Sequence, residues 1–354
     1  MVTASQAVPT STDTGQFLPT GFLPTGFDPG NGSAKLIVNG TEIRIPSLIA
    51  PLHSDIYEVP LVRTGSLITY RSGTRTDLIN QRWFSGSSAY TYSPNGHQKV
   101  VDDRKGKIKF GLQLLLGAIG ALPQRSSWKL GLMLSIQDAQ AFGKELTEAV
   151  VGHHDISIND NLASTRVEID VLGVREEGQG AIVHAATTAV IDIKTQNILI
   201  DVGHGTIITS VFGIGGKLIA RTVTGGGVSA LTEAIAKNID TRRQLAKEGD
   251  RQIIRQGIES KDAPFDYGTT GWNFRSVYAT ELKPWVSQNL ATALKSVDDW
   301  RETSAEIIAI GGGSMLPAIS QLLTLQGIST LDDGCWANAR GLARLAQLKS
   351  RRAG

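Results

Sequence analysis

Two short stretches carry residue types that could handle phosphate and a metal ion. The first is Asp28-Pro-Gly30-Asn31-Gly32-Ser-Ala-Lys35; the second is Asp201-Val-Gly203-His204-Gly205-Thr206. Each is an Asp-x-Gly-x-Gly pattern followed by Ser or Thr, and the two lie half a chain apart. Glycine has no Cβ, so the backbone N–H groups of such a turn can approach a phosphate closely. A carboxylate at the head of the turn is placed to hold a metal ion, directly or through water. A plain tight turn explains either copy alone. The duplication points to two facing loops with a nucleotide and Mg²⁺ between them.

Each aspartate needs a strand to carry it and a strand to return from it. Ile198-Leu-Ile runs into Asp201, and Ile207 to Phe212 follows, which reads as a buried hairpin. Around the first copy, Lys35-Leu-Ile-Val, the Asn39-Gly40 turn and Thr41 to Ile45 predict a second hairpin. Residues 61–105, with several short alternating runs, predict a small β-rich insertion. Helices are expected over 108–122, 138–150 and 181–190, a strand over 129–135, and strand over 156–174.

Arg175-Glu176-Glu177-Gly178 predicts a polar turn just ahead of the second hairpin. Paired carboxylates in a turn are commonly only solvated, but this pair lies at the expected junction between the two halves. Further on, Gly225-Gly226-Gly227 opens a helix expected over 228–239. The N–H groups of a first helical turn lack intrahelical partners and can receive an anion; the alternative is that the glycines allow close packing. A basic amphipathic helix is expected over 241–258, and a long one, interrupted at Pro284, over 277–299. Ile307 to Ile310 then runs into Gly311-Gly312-Gly313-Ser314, with helix expected from Met315. Side-chain-free backbone of this kind offers a flat bed for a nucleoside. A last amphipathic helix is expected over 337–349.

A chain of 354 residues is long enough for two domains. Hydrophobic residues at 41% and a net charge of +2 disfavour both disorder and a polyanion-binding surface. The single Cys335 leaves no intramolecular disulfide and reads as a small hydrophobe. No apolar run approaches the roughly 20 residues that span a bilayer, and no signal peptide is visible, so a cytoplasmic protein is expected. Residues 1–25 are rich in Thr, Ser, Pro and Gly, with Phe-Leu-Pro-Thr-Gly repeated from Phe17 and Phe22, and read as a mobile tail.

Taken in order, the two aspartate loops, the glutamate junction between them, Gly225–Gly227 and Gly311–Gly313 resemble the actin and sugar-kinase ATPase superfamily. The first loop is similar to actin's phosphate loop down to Lys35, and Ile310-Gly-Gly-Gly-Ser-Met-Leu-Pro-Ala-Ile to its adenosine loop. Val174 to Ala181, Gly225 to Leu231 and the closing Asn338-Ala-Arg-Gly-Leu resemble the bacterial ParM/StbA actin-like proteins of plasmid segregation. The likeness covers roughly residues 26–350. It departs in the N-terminal extension, at Glu176, where proline is common, and over 61–105.

The resemblance implies an α/β protein of two domains, each with a mixed five-stranded sheet and flanking helices, with nucleotide in the cleft between them. The expected division is 26–190, joined by a returning helix over 337–354, and 191–336. It implies ATP, with GTP as the alternative, and Mg²⁺ near Asp28 and Asp201. Gly30, Asn31, Gly32, Lys35, Gly203, His204, Gly205 and Thr206 would cradle the phosphates, and Gly225, Gly226 and Gly227 would also bind the nucleotide. Gly311, Gly312, Gly313, Ser314 and Met315 would meet the nucleoside. Glu177 would orient the attacking water, with Glu176 as the alternative. The implied function is an ATPase that polymerises and hydrolyses nucleotide for DNA segregation. Its partners would be its own copies and an adaptor, with neither direct nucleic-acid binding nor membrane. A small-molecule kinase or phosphatase of the superfamily is the alternative, but the chain shows no acidic sugar-binding constellation. A chaperone ATPase would need a C-terminal β domain that is not seen.

Overall fold

The computed structural model describes residues 19–59, 63–100 and 105–351. Phe17, Leu18 and the rest of the expected tail up to there lie outside the described residues. The chain forms two compact units, one running to Thr188 and resuming at Trp336, the other Ala189–Cys335.

Among the described residues the first unit carries ten strands: β1 (Leu23–Pro29), β2 (Ser33–Val38), β3 (Thr41–Pro46), β4 (Leu48–Pro51), β5 (Gly65–Gly73), β6 (Arg82–Gly86), β7 (Gln98–Lys99), β8 (Ser127–Ile136), β9 (Gly152–Ile158) and β10 (Ser164–Glu176). They make one sheet in the order β3-β2-β1-β8-β10-β9-β5-β6-β4-β7. Helices α1 (Ser87–Tyr92), α2 (Gly106–Gly120), α3 (Ala139–Val150) and α4 (Gln179–Thr187) accompany it. Five strands were expected here. Three of the additional strands lie in residues 65–99, which are no separate insertion: β5 pairs with β9, and β6 and β7 extend the same sheet through β4. The run 156–174 likewise resolves into the antiparallel pair β9 and β10. Strand β1 begins at Leu23, inside the stretch read as tail, because Leu23 packs on the core.

Asn39 and Gly40 turn β2 into β3 with φ of 48° and 77°, the left-handed pair that a two-residue hairpin requires. Asp138 caps α3 by accepting from the Ala141 N–H at 2.8 Å.

Buried His154 on β9 makes stability pH-dependent. Its Nε2–H donates to the Val150 carbonyl at 3.1 Å, and its Nδ1 accepts from the Tyr70 hydroxyl at 2.8 Å. Burial pushes its pKa down to about 4 from 6.5. Above pH 6.5 the ring is neutral folded or unfolded and contributes nothing. Below it the unfolded chain takes up a proton that the folded one refuses, so stability falls until about pH 4. The loss should reach roughly 3 kcal/mol. Urea unfolding of wild type and His154→Gln between pH 7.5 and 4.5 checks this: the gap between them should narrow with acid.

The second unit has strands β11 (Asn197–Val202), β12 (Thr206–Gly213), β13 (Lys217–Gly225), β14 (Glu306–Ile310) and β15 (Ser329–Thr330) in the order β13-β12-β11-β14-β15. Helices α5 (Val228–Lys237), α6 (Ile239–Leu245), α7 (Arg251–Glu259), α8 (Arg275–Trp285), α9 (Ala291–Lys295), α10 (Asp298–Arg301) and α11 (Ile319–Leu325) pack on it. The helix expected over 241–258 is two helices. Ala246 turns left-handed, and Asp250 starts α7 by accepting from the N–H groups of Gln252 and Ile253. Pro284 does not interrupt its helix. α8 passes through it, and a π-helical turn at Val286–Leu290 leads into α9. Met315 is not the start of a helix: the chain makes a 3-10 turn over Gly312–Met315, and α11 begins only at Ile319.

The last helix, α12 (Ala337–Arg351), belongs to the first unit. Its Ala339 and Ala343 pack with Ile37, and its Leu342 and Ala346 with Met133 and Leu172. It lies so close to β1 that a Cβ on Gly26 would sit 2.5 Å from the Ala339 carbonyl oxygen. Among the described residues no helix is long and apolar enough to cross a membrane.

Candidate functional site

In the first unit the site grows from the β1–β2 hairpin. Asp28 and Lys35 are cross-strand partners in its register, so their side chains share one face. Lys35 Nζ donates to Asp28 Oδ2 at 3.3 Å, and Ser135 on β8 donates to Oδ1 at 3.1 Å. Asn338, at the start of α12, donates to that serine's Oγ at 2.9 Å. Burial pushes the Asp28 pKa up, yet the charges of Lys35 and Lys107 and the two side-chain hydrogen bonds outweigh it and hold the carboxyl below its ordinary range. Asp28 is therefore a buried, ionised carboxylate.

The loop beyond it is tied down by Ser47. Its hydroxyl donates to the Gly30 carbonyl at 2.5 Å and its N–H to that of Gly32 at 3.3 Å. Asn31 is half-buried between them.

The two adjacent glutamates have separate surroundings. Glu176 ends β10 and accepts from the Ala139 N–H at 2.7 Å, so it closes the start of α3. Glu177 sits in the turn before α4, where Gly178 takes φ 86°, and pairs with Lys107 of α2. Both side chains of that pair are largely withdrawn from solvent, at 6% exposure for the lysine and 15% for the glutamate. Lys107, Ser47 and Ser135 were not singled out from sequence, and Asn338 only as the head of the closing motif. A signal existed for Lys107: helical spacing sets it on the face of Gly111, Leu114 and Leu115, where a lysine needs a counter-charge.

In the second unit Asp201 stands half-buried on β11, paired in register with Ile310 of β14. Gly203 closes the turn by donating to the Thr206 carbonyl at 2.9 Å, and Thr206 begins β12. The glycines at 225–227 behave differently from the anion site expected of them. Gly225 ends β13, and the N–H groups that open α5 are already taken. Val228 donates to the Gly203 carbonyl at 3.1 Å, Ser229 to that of His204 at 2.7 Å, and Gly227 to that of Gly205 at 3.1 Å. A Cβ on Gly227 would lie 2.6 Å from the oxygens of Gly203 and His204. Gly226 and Gly227 serve close packing, against Asn289 and the 203–206 turn, whereas a Cβ on Gly225 would meet nothing within 4 Å. The indole N–H of Trp285 holds them in turn, donating to the carbonyls of Gly226 and Gly227 at 2.8 and 3.1 Å.

The third glycine run divides by role. Gly311 has φ 86° and packs against Asp201, leaving no room for a Cβ. Gly313 is equally enclosed, by Val202 and Val228, whereas a Cβ on Gly312 would meet nothing within 4 Å. Ser314 is buried and donates to the Gly311 carbonyl at 2.8 Å, while Met315 is half exposed. Gly312 is thus the open position of the turn.

The structure groups Asp28, Lys35, Glu177 and Lys107 in the first unit. It groups Asp201 and the turns 203–206, 225–227 and 311–314 in the second. Among the described residues no three His, Cys, Asp or Glu side chains converge as a metal cage. An ionised carboxylate such as Asp28 suits a hard cation that completes its shell with water.

Residues 26–180 match the family of actin-like proteins, N-terminal domain. No curated protein sequence matches the chain. Solved structures do. An archaeal actin homologue, Ta0583, in complex with ADP is 16% identical with a TM-score of 0.72, over 92% of this chain and 100% of that one. An apo ParM of pSK41 is 15% identical with a TM-score of 0.64, over 94% and 99%. The ParM of a 15-stranded filament from Clostridium botulinum is 15% identical with a TM-score of 0.67, over 92% and 99%.

Proposed function

We propose, on the premise that this chain is an actin-like protein by its N-terminal domain and its fold, that it is an ATP-dependent filament former acting in DNA segregation. The observation that carries the reading is the buried, ionised Asp28 at the foot of a glycine turn, with Lys35 beside it and Glu177 in the same unit. Backbone of residues 30–32 with Lys35 would hold phosphate oxygens from the first unit, and the turn 203–206 from the second. Gly312 is the open position for a nucleoside. Asp28, and Asp201 in its own unit, would hold Mg²⁺ through its water shell, and the ion would neutralise phosphate charge. Glu177 would orient the attacking water. Chemistry of this kind gains from positioning and charge neutralisation more than from covalent steps.

Head-to-tail subunits form an open heterologous assembly. With a net charge of +2 the chain has no strong electrostatic claim on DNA, so an adaptor protein would link filament to cargo. Sedimentation with Mg-ATP, Mg-ADP and no nucleotide tests the reading. The protein should pellet with ATP and stay in solution without nucleotide. A protein that turns over ATP but never pellets is instead a small-molecule kinase or phosphatase of this fold.

A further inference from the structure

Lys107 is the one buried cation on α2, and beyond its charge acting on Asp28 the proposed reading gives it no role towards Glu177. It sits in the first turn of α2, with its side chain 6% exposed. Its ammonium group is paired with Glu177 Oε1. A lysine enclosed this way must be matched by charge, and Glu177 supplies the match. The pairing works in both directions. Glu177 lies in the turn before α4, with its N–H donating to the Ile136 carbonyl at 3.1 Å. Its neighbour Glu176 is fixed by the start of α3, and Gln179 is drawn back to the Glu176 N–H at 3.2 Å. Glu177 is held instead by a cation from another helix.

We propose that Lys107 is the positioning residue of this site, fixing the Glu177 carboxylate in the orientation from which it directs the attacking water. The proposal rests on the reading that Glu177 acts in ATP hydrolysis. Lys107 itself need not touch nucleotide. It acts through Glu177 by an ion pair between α2 and the turn before α4. Without this ion pair the carboxylate would still be present, but less well aimed.

The experiment compares Lys107→Met, Lys107→Arg, Glu177→Gln and the double variant Lys107→Met/Glu177→Gln. The readouts are single-turnover phosphate release, ATP affinity by fluorescent-nucleotide titration, and thermal melting. Lys107→Met should release phosphate about 10²-fold more slowly with ATP affinity within about threefold of wild type, as expected for a misaimed group. Lys107→Arg keeps the pair and should recover most of the rate. The double variant, which leaves no unmatched charge, should fold normally and be no slower than Glu177→Gln alone. That outcome keeps the test sound even if Lys107→Met melts early. Wild-type turnover in Lys107→Met while Glu177→Gln is slow overturns the positioning role and leaves the function intact. A loss of ATP affinity in Lys107→Met, or additive losses in the double variant, overturns it too, since Lys107 then acts apart from Glu177. Wild-type turnover in Glu177→Gln removes the underlying reading itself.

Discussion

Glu177→Ala is expected to bind ATP as wild type does and to hydrolyse it about 10²–10⁴-fold more slowly, the usual contribution of a group that positions or activates a water. Glu177 is assigned to the water and not to the phosphates, so affinity should hold while turnover drops. With hydrolysis blocked, ATP-state subunits accumulate. Filaments should form at the ordinary rate and persist longer, which light scattering followed after ATP is exhausted would record. The structure adds a second effect. Removing the carboxylate takes its ion-pair partner from Lys107, whose side chain is 6% exposed. Breaking a buried pair from one side is destabilising by about 3 kcal/mol. Glu177→Ala should therefore melt earlier, and Glu177→Gln, which keeps an acceptor for Lys107, should lose rate with a smaller change in melting. Normal turnover in both would move the water-positioning group outside this turn. Should Glu176 variants alone lose turnover, its place at the start of α3 would be hiding a catalytic role.

Gly311→Val and Gly312→Val, one residue apart, should fail in opposite ways. Gly311 has φ 86°, and its Cβ would be driven onto Asp201 and the Val202 carbonyl. Strain in the backbone adds to overpacking, so Gly311→Val should lose about 3 kcal/mol or more of stability. Gly312 has no such restriction, and a side chain there points into open space. Gly312→Val should fold and melt near wild type, yet lose ATP affinity by about 10²-fold or more, because the branched side chain occupies the space given to the nucleoside. Fluorescent-ATP titration beside a melting curve separates the two. A Gly312→Val variant that binds ATP normally would place the nucleoside elsewhere.

Both aspartate hairpins were legible because each is a local pattern: a strand, a carboxylate, alternating glycines and a returning strand. The Asn39-Gly40 turn and the Asp138 cap were legible for the same reason. The groups that condition Asp28 were not. Ser135 lies 107 positions from it in sequence, and Asn338 a further 203 from Ser135. No periodicity announces a hydrogen bond across such a distance. Gly225–Gly227 shows a subtler limit. The pattern correctly marks a helix opening, but which group takes the first-turn N–H groups depends on the turn at 203–205. The break between α6 and α7 had a local sign, Gly249-Asp250, that the run of charged residues around it concealed. The ten-stranded sheet depends on β5 finding β9, a pairing that tertiary packing decides.

The last helix also sets an order of events during synthesis. Unit 2 is one unbroken stretch, Ala189–Cys335, and every residue of it leaves the ribosome before α12 does. Unit 1 at that moment lacks the helix that covers Gly26, Met133 and Leu172, and its Ser135 has not met Asn338. Domains of a nascent chain ordinarily close from the N-terminus onward. Here the interposed unit can close first, while the older one waits with an uncovered sheet face. The hydrogen-bonded relay onto the Asp28 carboxylate is completed only afterwards, so a partly made chain carries an unfinished site.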